Sequence, residues 1–330
     1  MASFTPFSRR TLLGSGAAAL AFTPTIVRAA TPPPTGSRVP DTTLPPLPPE
    51  TEQIEGRSDI AKRLTVQGTI NGKGPYSFVV DTGADRTVIA YELAQELGLL
   101  KGVDVIVQGI SRALPAPTVN LDTVQVGSIQ LSNVNAPVLP RNWLGADGYL
   151  GLDVIDGRRV IFDFMHHNMT IAPPGSALSS WANHNEAIIH ARGDNGRLIA
   201  VNCTVDRVST HAFVDSGAEI SIGNTHLMDR LKERGATYMT DLTIPLIGVT
   251  GGMVPGRIVA INAVSLGDMN FNNTILVIAD LDIFNAWGLN DQPAMFIGMN
   301  FLRLLSALTI DYTRKEIRFK LAETTRIARA

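Results

Sequence analysis

The chain has 330 residues, 45% of them hydrophobic, 18% charged and 6% aromatic. That length fills the cores of about two domains at roughly 100–200 residues each, and that composition excludes a chain disordered throughout. A formal charge of −2, from 28 Lys and Arg against 30 Asp and Glu, with no basic run in the body of the chain, speaks against a nucleic-acid partner. The single cysteine, Cys203, excludes an internal disulfide framework and a multi-cysteine metal site.

The N-terminus reads as an address. Ser8-Arg9-Arg10-Thr11-Leu12-Leu13 resembles the twin-arginine export signal. The apolar stretch from Leu12 to Phe22 is about half of the ~20 residues that span a bilayer, and Val27-Arg28-Ala29 offers a small-residue cleavage site. Residues 1–29 are therefore expected to be a cleaved leader, with no stable membrane anchor. Losing Arg9, Arg10 and Arg28 takes the formal charge from −2 to −5. The resemblance implies a bacterial protein exported already folded, periplasmic or secreted, where a lone thiol meets no wrong partner within its own chain. Residues 30–58 follow as an expected Pro-rich linker, with eight prolines between residues 31 and 50. The folded body is expected to begin near Asp59.

The body repeats itself. Phe78-Val79-Val80-Asp81-Thr82-Gly83-Ala84 recurs as Ala212-Phe213-Val214-Asp215-Ser216-Gly217-Ala218. Each copy is followed by a helix-like segment with apolar residues at i, i+4, Leu93 and Leu97 in the first and Leu227 and Leu231 in the second. Gly109-Ile110 then matches Gly248-Val249, and strand-like runs closing at Gly127 and Gly267 match one another. Tyr149-Leu150-Gly151-Leu152-Asp153 matches Phe296-Ile297-Gly298-Met299-Asn300. Landmarks recurring in one order mean duplication. Pro173-Pro174-Gly175 divides the expected lobes, 59–175 and 183–322.

The repeated motif carries chemistry. An apolar strand delivers a carboxylate into a tight turn, and the glycine permits either φ > 0 or close backbone approach. Ala84 and Ala218 leave room, and the hydroxyls of Thr82 and Ser216 hold the loop. Two such loops about a pseudo-two-fold axis would bring Asp81 and Asp215 together, where they share a proton and titrate as a pair. The protonated one donates to a carbonyl oxygen while the other activates a water.

Val80-Asp81-Thr82-Gly83-Ala84-Asp85 and Val214-Asp215-Ser216-Gly217-Ala218 resemble the catalytic loop of the retropepsin-like aspartic proteases. Leu150-Gly151 and Ile297-Gly298 are similar to that family's hydrophobic-Gly signature. The resemblance implies an all-β fold of two retropepsin-like β-barrel lobes, each with one short helix, related by pseudo-two-fold symmetry, with a substrate cleft between them. It implies an endopeptidase with Asp81 and Asp215 catalytic, Thr82 and Ser216 interlocked beneath them, a peptide or protein substrate, and no cofactor or metal. Both halves in one chain suit a monomer. Gly-rich hairpins over the cleft are expected at Gly109-Ile110 and at Gly248, Val249, Gly251 and Gly252. A catalytically weak or inactive peptide-binding module of the same fold is the alternative.

Other residues are read more plainly. Trp143 and Trp287 precede the hydrophobic-Gly pairs as core aromatics or subsite walls. His166-His167 has no third metal ligand at a usual spacing. Cys203 reads as a small buried apolar residue, and Asp163 and Asp311 as turn or pairing residues ahead of closing strands.

Overall fold

A computed structural model of the chain describes residues 25–28, 51–59, 63–173, 186–194, 197–200 and 203–321. The leader before residue 25, the Pro-rich run 31–50 and Pro174-Gly175 lie outside the described residues. After β1 (Thr25–Arg28), the N-terminal half holds β2 (Glu52–Ser58), β3 (Leu64–Ile70), β4 (Lys73–Val80), β5 (Val88–Ala90), α1 (Tyr91–Glu96), β6 (Val105–Gln108), β7 (Ala113–Ala116), β8 (Thr118–Val126), β9 (Ile129–Leu139), α2 (Arg141–Leu144), β10 (Gly148–Leu150), α3 (Leu152–Ile155), β11 (Arg159–Asp163) and β12 (Asn168–Ala172). The C-terminal half begins with β13 (Glu186–Asp194), β14 (Arg197–Ala200), β15 (Cys203–Val205), β16 (Val208–Ser209), β17 (His211–Val214), β18 (Ile222–Gly223) and α4 (Thr225–Lys232). It continues with β19 (Tyr238–Ile247), β20 (Met253–Leu266), β21 (Met269–Ile278), α5 (Asp282–Ala286), β22 (Ala294–Ile297), α6 (Met299–Leu302), β23 (Leu305–Asp311) and β24 (Glu316–Leu321).

Each half curls into a barrel. In the first, β3 pairs with β4, β4 with β10, β10 with β5, β5 with β9, β9 with β8, and β8 returns to β3. Closure leaves no free edge in the ring. Its interior is apolar: Val66, Phe78, Val80, Ile89, Leu121 and Leu139 are buried. The second ring runs through β14 and β15, β17, β22, β18, β21 and β20 in the equivalent order. The hairpin between β3 and β4 turns at Asn71 and Gly72, φ 50° and 73°, the pairing that a tight twisted turn favours. Its counterpart turns at Asp206 and Arg207, φ 44° and 67°, without a glycine.

A six-stranded sheet ties the halves together, in the order β2, β12, β11, β23, β24, β13. Its centre is the β11–β23 pair, where Arg159 lies opposite Asp311 and bonds it at 2.6 Å, with side chains only 6% and 1% exposed.

Three expectations change. The linker expected over 30–58 stops short of residue 52, because Glu52–Ser58 is β2, paired on both sides. Only Ile54 of that strand is buried, so its hold is backbone pairing and the sequence carries no apolar alternation there. Inside the expected leader, Thr25–Arg28 forms β1 antiparallel to β21. The one helix expected per lobe is present as α1 and α4 but is joined in each half by two short helices, too short to show a helical period. Asn224 caps α4 by accepting from the Leu227 amide, at 2.8 Å.

Asp311→Ala would take the buried carboxylate away from the Arg159 guanidinium in the central sheet. It is expected to lower stability by about 3–5 kcal/mol, the usual cost of breaking a buried pair, as measured by chemical denaturation.

Candidate active site

Strands β4 and β17 end at the start of the two duplicated loops, and the loops face each other. The amide of Asp81 donates to the Leu150 carbonyl and that of Asp215 to the Ile297 carbonyl, both at 3.0 Å. The hydrophobic-Gly pairs thus pin the two aspartates. Gly151 and Gly298 are needed for close approach: a Cβ there would sit 2.6 Å from the Arg86 backbone and 2.7 Å from the Ile220 backbone. One turn later, Asp153 accepts from the amide and hydroxyl of Thr87, and Asn300 accepts the same pair from Ser221.

Beneath the carboxylates the loops grip one another reciprocally. The Thr82 hydroxyl donates to the Val214 carbonyl at 2.7 Å and accepts from the Ser216 amide at 3.1 Å. The Ser216 hydroxyl donates to the Val80 carbonyl at 2.7 Å and accepts from the Thr82 amide at 3.1 Å. Glycine serves closeness here rather than positive φ: a Cβ on Gly83 would lie 3.0 Å from Asp215 Cγ, and one on Gly217 would overlap the Asp81 carboxylate. Asp81 accepts from the Gly83 amide at 2.8 Å, and Asp215 accepts from the Gly217 and Ala218 amides at 2.9 and 3.0 Å.

The two carboxyl groups hydrogen-bond each other and titrate together. Burial raises both above the usual carboxylate range. Asp215 is pushed up to about 8, by burial first and then by the charge of Asp81. Asp81 is raised by burial but drawn back by the Gly83 amide and by Arg63. The charge of Asp81 thus adds to burial in holding the proton on Asp215.

The walls beside the two aspartates differ. Phe213, Trp287 and Phe296 form an aromatic cluster, Phe213 and Trp287 with ring centroids 4.9 Å apart. With Thr82, Gly83, Val214 and Asp215 they enclose a cavity of about 10 Å³, room for roughly one water. On the first half the buried Arg63 donates to Tyr149 and to the Leu144 carbonyl and is paired with Asp59. Neither Arg63 nor Tyr149 was singled out by the sequence as a site residue; the signal available was a charged side chain just ahead of an apolar strand.

The two hairpins expected over the site meet tip to tip. Gly109 and Ile110 lie between β6 and β7, and Gly248, Val249, Gly251 and Gly252 between β19 and β20. Ser111 donates to the Gly251 carbonyl at 2.6 Å, Arg112 to the Thr250 carbonyl at 3.1 Å, and Thr250 returns a bond to the Arg112 carbonyl at 3.0 Å. Gly251 and Gly252 take φ of 67° and 81°, which glycine tolerates. Each tip lands on the other half. The Asp282 amide bonds the Ile110 carbonyl at 2.9 Å, and a Cβ on Gly251 would lie 2.8 Å from the Trp143 ring.

Elsewhere, Cys203 is buried and its thiol is pushed up to about 12 by burial. His166 bonds Asp163 at 2.8 Å, and among the described residues no group of acids, histidines and cysteines could hold a metal ion.

A family model described as aspartyl protease matches residues 66–154 and 201–301. No curated protein matches the chain. Among solved structures it is similar to an aspartic proteinase from Irpex lacteus, at 14% sequence identity and a TM-score of 0.44, over 84% of this chain and 99% of that one.

Thr82→Val would leave the Ser216 amide without its acceptor and the Val214 carbonyl without its donor. A loss on the order of 2–4 kcal/mol is expected, with Thr82→Ser retaining most of it, when both are compared by denaturant unfolding.

Proposed function

The chain belongs to the aspartyl protease family, and we propose that it is an endopeptidase whose Asp81 and Asp215 hydrolyse peptide bonds through a shared proton. The observation that carries this reading is the pair itself: two buried carboxyl groups, hydrogen-bonded to each other between reciprocally locked loops.

The chemistry follows from one proton on two carboxyls. A water held between them loses a proton to the ionised carboxylate as its oxygen attacks the scissile carbonyl carbon. The protonated carboxyl donates to the carbonyl oxygen, so the tetrahedral intermediate forms as a neutral gem-diol. The nitrogen is then protonated by the carboxyl that took the water's proton. The C–N bond breaks, a diol hydroxyl returns its proton to the other carboxylate, and the dyad again holds one proton. The crossed hairpins would cover the peptide, exclude water and offer backbone groups to it. The aromatic wall beside Asp215 would receive an apolar side chain of the substrate.

Incubation with a diverse peptide library from pH 3 to pH 8, with products read by mass spectrometry, tests this reading. Asp81→Asn and Asp215→Asn are each expected to lose at least about 10²–10⁴-fold in rate, and chelators to change nothing. The sign with pH follows from Asp215: activity needs the shared proton, so it falls as pH rises through the value near 8. An intact fold that binds peptides without cleaving them would make the chain a peptide-binding module instead.

We also propose that the chain acts as a monomer and is exported through its leader, to the periplasm or beyond. The mature protein would then begin at Ala30 and lack β1. Mass spectrometry of the exported protein is expected to give that N-terminus; a retained leader would overturn it.

A further inference from the structure

The two halves match in backbone but not in what they set beside their aspartates. In the first half, Thr65 of β3 and Tyr149 of β10 are both register partners of Val79 on β4. Continuing the β3–β4 register by two residues sets Arg63 opposite Asp81, on the face shared by Thr65, Val79 and Tyr149. Arg63 is only 8% exposed. Its guanidinium is held on three sides: Nη1 donates to Tyr149 Oη, Nη2 to the Leu144 carbonyl at 2.9 Å, and Nε to Asp59 Oδ2 at 2.7 Å. Tyr149 Oη in turn donates to the Leu144 carbonyl at 3.1 Å, so the hydroxyl is fixed as an acceptor toward Arg63.

In the second half the residue matching Tyr149 is Phe296, the register partner of Phe213 on β17. Phe296 has no hydroxyl to hold a cation, and among the described side chains Phe213, Trp287 and Phe296 line that side. Arg197 stands at the matching position of β14, where its own register partner is Asp194.

We propose that Arg63, oriented by Tyr149 and Asp59, is a positioning residue that makes Asp81 the ionised carboxylate of the pair and leaves the shared proton on Asp215. This rests on the endopeptidase reading and assigns its two roles: Asp81 takes the proton from water, and Asp215 donates to the carbonyl oxygen. A buried cation favours the charged form of the acid beside it, and an apolar wall favours the neutral form. The other groups acting on Asp81 are Asp215, which when protonated hydrogen-bonds it and favours its ionised form, and the neutral hydroxyls of Tyr149 and Tyr312, both raised by burial and therefore kept protonated. Asp59 faces Arg63 and offsets part of its charge.

The test is a titration of the aspartate carboxyl carbons by NMR in the full folded chain, with Asp81→Asn and Asp215→Asn assigning the two resonances. The lower of the two apparent pKa values is expected to belong to Asp81. Arg63→Met should raise it by about one unit, and Arg63→Lys should keep most of the native value. Asp59→Asn/Arg63→Met removes both charges together, so a smaller rise in the same direction is readable if the single variant does not fold. Arg197→Met is the matched control and should leave the lower value in place. The acid limb of kcat/KM should move up with the NMR value in the same variants. A lower pKa on Asp215, or an Asp81 titration indifferent to Arg63→Met and to the double variant, would overturn the proposal. Because the titration is read without turnover, its failure is distinguishable from an absence of peptidase activity.

Discussion

Everything in this molecule turns on holding two like-charged groups together out of water. Buried carboxylates in contact repel, and loops that carried them alone would open. Here neither loop is satisfied by its own half. The amide and hydroxyl of Thr82 find their partners on residues 214 and 216, and those of Ser216 on residues 80 and 82. Four reciprocal bonds and two glycines without side chains in the way let the loops approach until the carboxyls meet. The six-stranded sheet, with Arg159 and Asp311 at its centre, fixes the distance from which the loops reach.

Duplication supplies the symmetry, and departures from it supply the chemistry. Matching strands, matching hydrophobic-Gly pairs and matching polar bolts at Thr87–Asp153 and Ser221–Asn300 place the two aspartates equivalently. Two equivalent acids would share their charge evenly. A tyrosine in one half and a phenylalanine in the other, at one barrel position, decide that a guanidinium is bound in the first barrel and an aromatic cluster packs in the second.

The contact between the two hairpins is also a joint product. The shorter hairpin, β6–β7, ends on residues of the C-terminal half, and the longer one, β19–β20, ends on Trp143 of the N-terminal half. Side chains of Ser111, Arg112 and Thr250 bond the tips to one another.

Much of this is legible in the amino-acid sequence because it is local. An apolar run ending in Asp-Thr-Gly or Asp-Ser-Gly and a hydrophobic pair followed by glycine are contiguous, and their recurrence in one order identifies a duplicated β-rich chain. The polar strand Glu52–Ser58 is not legible, since it is held by pairing and not by a buried face. The two short helices of each half are shorter than any period they could display. Arg63 and Tyr149 are far apart in the chain, as are Arg112 and Thr250, and nothing near either member announces the other. The sequence by itself determined the two aspartates, the loops that carry them and the class of fold, because short-range composition and repetition encode those. Only the tertiary structure decided what stands beside each carboxyl and which hairpin closes on which half, because antiparallel and parallel strand pairing brings distant residues together in registers that no local pattern records.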